Sequence, residues 1–150
     1  MPKYGSLFQL AIISGENAAR DASQHATKQL TKINLPIEEL STVELVLAEA
    51  LNNIVEHAYP EPKKPGPIRL WGTHQTNGVH IRIEDEGLPM PGGQAPVGMQ
   101  PNLNVGVSTL PEGGFGWFLI HDLAKDINYR RLGEMNRLDM RLPVALTSSD

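Results

Sequence analysis

The 150-residue sequence contains no cysteine, few aromatic residues (5%) and fewer basic than acidic residues. The absence of cysteine excludes disulfide frameworks, thiolate zinc sites and cysteine nucleophiles. The formal net charge of -4 argues against a nucleic-acid binder, because neutralising phosphates requires clustered lysine and arginine. We therefore expect protein or small-molecule partners and no nucleic acid.

Long apolar runs are also absent. No run approaches the roughly 20 residues that a membrane-spanning helix needs, and residues 1–13 lack the long apolar region and cleavage site of a secretory signal. We expect a cytoplasmic protein that does not associate with membranes. The length and a hydrophobic content of 40% fit a single globular domain over residues 1–150.

Strand and helix signals are distributed along the chain. Alternating apolar residues predict two hairpins, one around Asn77-Gly78 and one around Leu132 to Glu134. Strands are predicted at 7–13, 68–75, 79–84, 126–131 and 137–142, and helices at 16–33, from Ser41 or Thr42 to 59, and at 115–124. The segment from Gly87 to Gly114 is rich in Gly, Pro, Asn and Gln and is longer than a structural connection needs, which is typical of a functional loop.

Three short polar or glycine-rich motifs are candidates for chemistry. Glu49, Asn53 and His57 are spaced i, i+4, i+8, so they form one line on a helix. Such a line is often only a solvated stripe, but a carboxylate and an amide oxygen also suit Mg²⁺. We expect His57 to be a packing and hydrogen-bonding residue near the helix end.

The other two motifs contain glycine. Asp85 follows a strand and precedes Gly87, so it could be a turn former, or it could accept a hydrogen bond from the exocyclic amine of a flat base packed against the glycine. The glycines at 113, 114 and 116 could form a flexible loop, or they could expose unpaired N–H groups to phosphate at a helix start. The spacing excludes the Rossmann and P-loop motifs.

In this order the motifs resemble the nucleotide-binding boxes of the GHKL ATPases. Glu49-x-x-x-Asn53 is similar to the N box, Asp85-x-Gly87 to the first glycine box, and Gly114-Phe115-Gly116 to the second. Residues 47–59, 113–120, 126–131 and 136–140 are most similar to the anti-sigma factor serine/threonine kinases of the RsbW and SpoIIAB type. The resemblance covers roughly Leu35 to Leu142.

The resemblance implies an α/β fold of the Bergerat type, with a mixed, mostly antiparallel sheet covered on one face by about three helices. It also implies binding of ATP and Mg²⁺ through the following residues: Asn53 for the metal, Asp85 and Gly87 for adenine, and Gly114, Phe115 and Gly116 beside the phosphates. Glu49 would be the general base, and the loop from Gly87 to Gly114 an ATP lid. Trp117 and Phe118 are expected in the helix core.

The implied function is that of a partner-switching kinase, which phosphorylates an anti-sigma antagonist of the STAS type and otherwise sequesters a sigma factor. A homodimer is implied as well. One position departs from the family: some of these kinases carry an arginine just before the second glycine box, where this chain has Pro111 and Glu112. The departure favours a second hypothesis, a non-catalytic module that uses ATP only to set its conformation.

Overall fold

The computed structural model describes residues 6–33, 35–95 and 114–144. The elements are strand β1 (Ser6–Ile13), helices α1 (Ala18–Leu30) and α2 (Ile37–Asn53), a π-helical turn (Ile54–Ala58), strands β2 (Pro67–Gln75) and β3 (Gly78–Asp85), a 3-10 turn (Pro91–Gly93), helix α3 (Gly114–Leu123), and strands β4 (Lys125–Leu132) and β5 (Met135–Leu142). Most of the predicted lid, at 96–113, lies outside the described residues.

The five strands form one sheet in the order β1-β2-β3-β5-β4, and each neighbouring pair is antiparallel. The mixed sheet that we expected therefore has no parallel pair among the described strands. Both predicted hairpins are present. In the first, Gln75 pairs with Gly78, so the loop is Thr76-Asn77, one residue before the predicted Asn77-Gly78. Gly78 has a φ of 128°, which a side chain would strain.

The core lies between the helices and one face of the sheet. Along β5, buried residues alternate with partly exposed ones from Met135 to Leu142, and the buried row belongs to the core that the helices share. Fully buried side chains include Leu30, Leu47, Leu51, Ile68, Ile81 and Ile120. Burial of each such side chain contributes about 1.5–3 kcal/mol. The predicted two-layer α/β fold is confirmed.

The opposite face of the sheet is charged. Glu84 lies 2.9 Å from Arg137 and 3.5 Å from Arg69, and Arg82 pairs with Asp139 at 2.7 Å. The Arg82–Asp139 pair is partly exposed and contributes about 1 kcal/mol or less, whereas Glu84 is buried, with 7% of its surface exposed, and is paired with both of its arginines. The main consequence of these pairs is that this face is compatible with water, whereas the helix-covered face is apolar. None of the helices in the described part of the chain has the length and apolar character to cross a membrane.

Helix α2 starts earlier than predicted. It begins at Ile37, directly after Pro36, and carries Glu38 and Glu39 in its first turn. Acidic residues there favour the helix, because they interact with the positive end of its dipole. Thr42 does not cap the helix, because its hydroxyl donates to the Glu38 carbonyl one turn back, at 3.0 Å. The predicted start at Ser41 or Thr42 is therefore wrong.

Candidate functional site

Glu49 and Asn53 lie one turn apart near the end of α2. Asn53 is buried, with 6% of its surface exposed, and its Nδ2 donates to the Glu49 carbonyl oxygen at 2.8 Å. This bond commits the amide nitrogen to the helix backbone. Asn53 Oδ1 is consequently the atom of this side chain that could bind a cation or a donor.

Gly116 of α3 packs directly against these two side chains. A Cβ atom at position 116 would lie 2.7 Å from Glu49 Oε2 and 3.3 Å from Asn53 Nδ2. Glycine at this position therefore leaves the space that the Glu49 carboxylate and the Asn53 amide occupy beside α3. The fold brings the predicted N box and the predicted second glycine box together. Gly114 and Phe115 are the first two residues of α3.

A π-helical turn follows Asn53 and changes the direction of the later side chains. The Tyr59 N–H donates to the Ile54 carbonyl, five residues back, at 3.3 Å. His57 is exposed and lies 3.8 Å from the Glu56 carboxylate, whereas Asn53 is buried. The expected packing role of His57 is therefore wrong, because the π turn moves it off the line that an uninterrupted α-helix would give.

The predicted first glycine box packs on the end of the same π turn. A Cβ atom at Gly87 would overlap the Ala58 carbonyl oxygen, and the Leu88 N–H donates to that oxygen at 2.9 Å. Ala58 is the last residue of the π turn and lies five residues after Asn53. Two glycines from distant parts of the sequence thus approach one continuous helical element.

Asp85 is almost fully buried at the end of β3, with 4% of its surface exposed. Its Oδ1 accepts hydrogen bonds from the Gly87 N–H at 2.9 Å and from Asn136 Nδ2 at 2.7 Å. Burial raises the pKa of the carboxyl group, although these two donors and Arg131 act in the opposite direction. Both of these hydrogen bonds end on Oδ1. The other carboxylate oxygen, Oδ2, could therefore accept a hydrogen bond from a ligand amine.

Two residues that the sequence interpretation passed over support the Asp85 turn. Asn136 is buried on the inward row of β5, where Leu138, Met140 and Leu142 are apolar. A polar residue at one position of an apolar alternation is the sequence feature that could have indicated its role. Tyr59 donates its hydroxyl to the Pro67 carbonyl at 2.6 Å and accepts from the Glu86 N–H at 2.7 Å. Burial raises the pKa of this hydroxyl.

The described side chains suit a site in which Mg²⁺ is bound by protein and ligand together. They suit a site made of protein ligands alone less well. Among these residues, no group of three His, Cys, Asp or Glu side chains could hold a metal ion. Asn53 Oδ1 and the nearby Glu49 carboxylate offer oxygen donors only. Mg²⁺ commonly uses one or two protein oxygens and completes its shell with phosphate and water.

The predictions for the other residues near α3 have different outcomes. Trp117, with 3% of its surface exposed, belongs to the core, as predicted. The same prediction for Phe118 is wrong, because the next residue along a helix faces a different side, and Phe118 is partly exposed. Pro111, Glu112 and Gly113 lie outside the described residues.

Comparison with known proteins agrees with this geometry. A family model described as the histidine kinase-like ATPase domain matches residues 14–142. The chain belongs to this family. Serine-protein kinase RsbW of Bacillus thuringiensis (strain Al Hakam) is 28% identical over 97 residues, which is 64% of this chain and 59% of RsbW. RsbW of Bacillus cereus (strain ATCC 10987 / NRS 248) is 29% identical over 98 residues, with the same coverage.

The matched region thus spans about three fifths of the length of these curated relatives. The resemblance to anti-sigma factor kinases is confirmed at the level of the family. Among solved structures, the histidine kinase domain of the blue-light activated histidine kinase from Erythrobacter litoralis EL346 is 15% identical, with a TM-score of 0.48, and the match covers 87% of this chain and 64% of that one.

Proposed function

We propose that this protein is an ATP-dependent serine/threonine kinase and anti-sigma factor of a partner-switching system. It binds Mg-ATP, phosphorylates a STAS-type antagonist and otherwise sequesters a sigma factor, as a cytoplasmic homodimer. The observation that carries the proposal is the convergence of Gly116 on Glu49 and Asn53, with Gly87 meeting the same helical element at Ala58.

Each end of this arrangement suits a different part of ATP. The buried Asp85 carboxylate can accept from the adenine amine, and Gly87 leaves room for the ring beside it. At the other end, Gly114 and Gly116 bring backbone N–H groups and the positive end of the α3 dipole to the phosphates. Asn53 Oδ1 would hold Mg²⁺, which neutralises charge on the phosphates when bound.

Glu49 is the general base of the proposed reaction. A serine or threonine hydroxyl oxygen of the partner forms a bond to the γ-phosphorus, and the bond from that phosphorus to the β–γ bridging oxygen breaks. ADP leaves, and Glu49 receives the hydroxyl proton. The proximity of Glu49 Oε2 to the position where a Gly116 side chain would be supports this role, since the carboxylate lies beside the proposed phosphate-binding backbone.

The partner assignments rest on the relatives. The matched Bacillus proteins are named serine-protein kinases, which supports a serine or threonine acceptor. A sigma factor and a STAS-type antagonist are the partners that the resemblance implies. The net charge of -4 is consistent with protein partners rather than nucleic acid.

A second candidate is a module that binds ATP without transferring phosphate. Pro111 and Glu112 stand where some kinases of the family carry an arginine. A missing cation at the γ-phosphate would slow transfer more than it weakens binding. In this alternative, nucleotide state alone governs the release of the partner.

The deciding experiment is incubation of the purified protein with Mg-ATP and candidate STAS proteins from the same genome, followed by mass spectrometry. Kinase activity places phosphate on one serine or threonine of a STAS protein, and Glu49→Gln abolishes the modification while retaining ATP binding. ATP binding with no transfer to any of these proteins would instead establish the non-catalytic module. Failure to bind ATP at all would refute both functions.

A further inference from the structure

Side chains of the β4–β5 hairpin donate hydrogen bonds to the backbone carbonyl groups of the turn from Asp85 to Leu88. The Gly87 carbonyl accepts from Arg131 Nη1 at 2.7 Å and from Asn136 Nδ2 at 3.3 Å. The Leu88 carbonyl accepts from Asn136 Nδ2 at 2.9 Å. The hairpin therefore fixes the position of the turn that contains both predicted adenine-binding residues.

Arg131 makes three contacts that join different segments. Besides the Gly87 carbonyl, its Nη1 donates to Asn136 Oδ1 at 3.0 Å, and its Nε donates to the Gly133 carbonyl at 3.0 Å. The planar guanidinium suits several simultaneous acceptors. The Arg131 side chain is exposed, so it acts on these segments through hydrogen bonds and not through burial in the core.

Arg131 and the Asp85 turn hold the Asn136 amide from opposite sides. Arginine has only donors, so the amide atom beside Arg131 must be the oxygen. That places Nδ2 against Asp85 Oδ1. Tyr129 also meets Asn136 Oδ1 through its hydroxyl, but a hydroxyl can donate or accept. On the other side of the amide, Nδ2 meets Asp85 Oδ1 and the Gly87 and Leu88 carbonyl groups, which only accept, so the direction of the amide is fixed from both sides. The contribution of Arg131 is to hold the amide oxygen and the Gly87 carbonyl in place with one charged group.

We propose that Arg131 is a positioning residue for nucleotide binding, which holds the Asn136 amide and the Gly87 carbonyl in place so that Asp85 Oδ1 is occupied and Oδ2 is presented to the amine of an adenine base. This inference rests on the proposed ATP site. Guanine carries a carbonyl group where adenine carries the exocyclic amine, so an oriented carboxylate favours ATP over GTP. Loss of the Arg131 contacts loosens the turn and reduces this preference for ATP.

The chain offers a matched control in the adjacent arginine. Arg130 is also an exposed arginine of β4, and it lies opposite Arg137 in the sheet register, whereas Arg131 lies opposite Asn136. Arg130→Met removes the same charge from the neighbouring strand position without touching the Asp85 turn. Arg131→Lys retains a donor-only side chain but not the fork, so we expect it to restore part of the effect.

The test measures ATP and GTP affinity by calorimetry for the wild type, Arg131→Met, Arg131→Lys and Arg130→Met, with urea unfolding of each. We expect Arg131→Met to weaken ATP binding about 3- to 20-fold, since charge-assisted hydrogen bonds are lost, with little change for GTP. Arg131→Lys should lie between it and the wild type, and Arg130→Met should match the wild type.

Two further readouts separate positioning from a general loss of structure. In the nucleotide-free protein, the NMR signals of the Asn136 side-chain amide and of the Gly87 and Leu88 N–H groups should shift in Arg131→Met and not in Arg130→Met. Unchanged ATP affinity in Arg131→Met would overturn the inference while leaving the ATP site intact. Equal losses in both arginine variants, or a loss that follows unfolding, would also overturn it. A wild-type protein that binds no ATP would overturn the proposed function as well as this inference.

Discussion

Asp85 is an ionisable residue in a buried position, and burial disfavours its charged form. The surrounding contacts reduce the unfavourable free energy of burying that charge: the Gly87 N–H and Asn136 Nδ2 both donate to the same carboxylate oxygen. The pKa remains raised all the same. A buried carboxylate that lowers stability is expected where its charge is needed for binding.

Replacement of Asp85 by asparagine separates stability from binding. Asparagine keeps an acceptor oxygen for the Gly87 and Asn136 donors but does not ionise. We therefore expect Asp85→Asn to bind ATP at least 10-fold more weakly, because the second carboxylate oxygen is replaced by a donor, while its free energy of unfolding at pH 7 equals or exceeds that of the wild type. Calorimetry and urea unfolding measure the two quantities.

The pH dependence of this difference has a definite sign. Burial raises the native pKa of Asp85 above its ordinary value of 3.8, so between these two values the native state binds more protons than the unfolded chain. The stability contributed by this group falls as pH rises through that window. The advantage of Asp85→Asn should thus be largest above the raised native pKa and vanish as pH falls below 3.8. An advantage that grows on acidification would contradict the assignment.

Gly116 gives a second prediction at the scale of one residue. A Cβ atom there would lie 2.7 Å from Glu49 Oε2, and the carboxylate is the movable end of a flexible side chain. Alanine is favoured over glycine in a helix interior by about 1 kcal/mol. We expect Gly116→Ala to keep or raise the free energy of unfolding but to lower kcat about 10-fold or more, because the displaced carboxylate no longer meets the reacting hydroxyl.

A double variant tests whether the loss acts through Glu49. If it does, Gly116→Ala should have little further effect on phosphate transfer in a Glu49→Gln background. An equal loss in both backgrounds would mean that Gly116 affects the phosphates independently of the carboxylate. Urea unfolding of the single variant checks the stability half of the prediction.

At the scale of elements, Tyr59 ties the π turn to two strands. Its hydroxyl contacts the Pro67 carbonyl of β2 and the Glu86 N–H just beyond β3, and its ring lies where a side chain on Gly66 would be. Tyr59→Phe should lower the free energy of unfolding by about 1–3 kcal/mol, because two hydrogen bonds of about 0.5–1.5 kcal/mol each are lost.

A second variant distinguishes the contribution of the Tyr59 ring to stability from that of its hydroxyl. Tyr59→Leu loses the ring packing over Gly66 as well as both hydrogen bonds, so its loss of stability should be larger. Urea unfolding measured by far-UV circular dichroism provides the comparison. Identical losses in the two variants would show that the hydroxyl alone accounts for the contribution of Tyr59.

The elements that the sequence predicted best are those with local signals. Both hairpins follow from apolar alternation and turn residues, and the order of the three motifs predicted the family. The start of α2 was missed because Pro36, and not a serine or threonine, precedes it. The π turn has no local signal, and it is the reason that His57 leaves the predicted line.

Long-range contacts explain what the sequence did not predict at the site. Arg131 and Asn136 meet the Asp85 turn only because β5 pairs with β3, so that Asp85 lies opposite Asn136. A motif search treats Asp85 and Gly87 as a self-contained unit. The structure shows instead that residues more than 40 positions away satisfy the polar groups of this turn.

At the scale of the whole molecule, the two tryptophans report on opposite sides of the sheet. Trp71 is partly exposed on β2, among the charged residues of the open face, and Trp117 is buried in α3. Because all three helices and the sheet contribute to one core, we expect a single cooperative unfolding transition. Trp71→Phe and Trp117→Phe each leave one reporter.

In each variant, the fluorescence and far-UV circular dichroism transitions should have the same urea midpoint. Mg-ATP at 100 times its dissociation constant should then raise the free energy of unfolding by about 2.7 kcal/mol, whichever tryptophan reports it, since ligand bound only to the native state stabilises the whole cooperative unit. Asp85→Asn, with binding at least 10-fold weaker, should lose about half of this increase or more at the same ATP concentration. Stabilisation seen by Trp117 and not by Trp71 would mean that α3 and the nucleotide site unfold independently of the sheet.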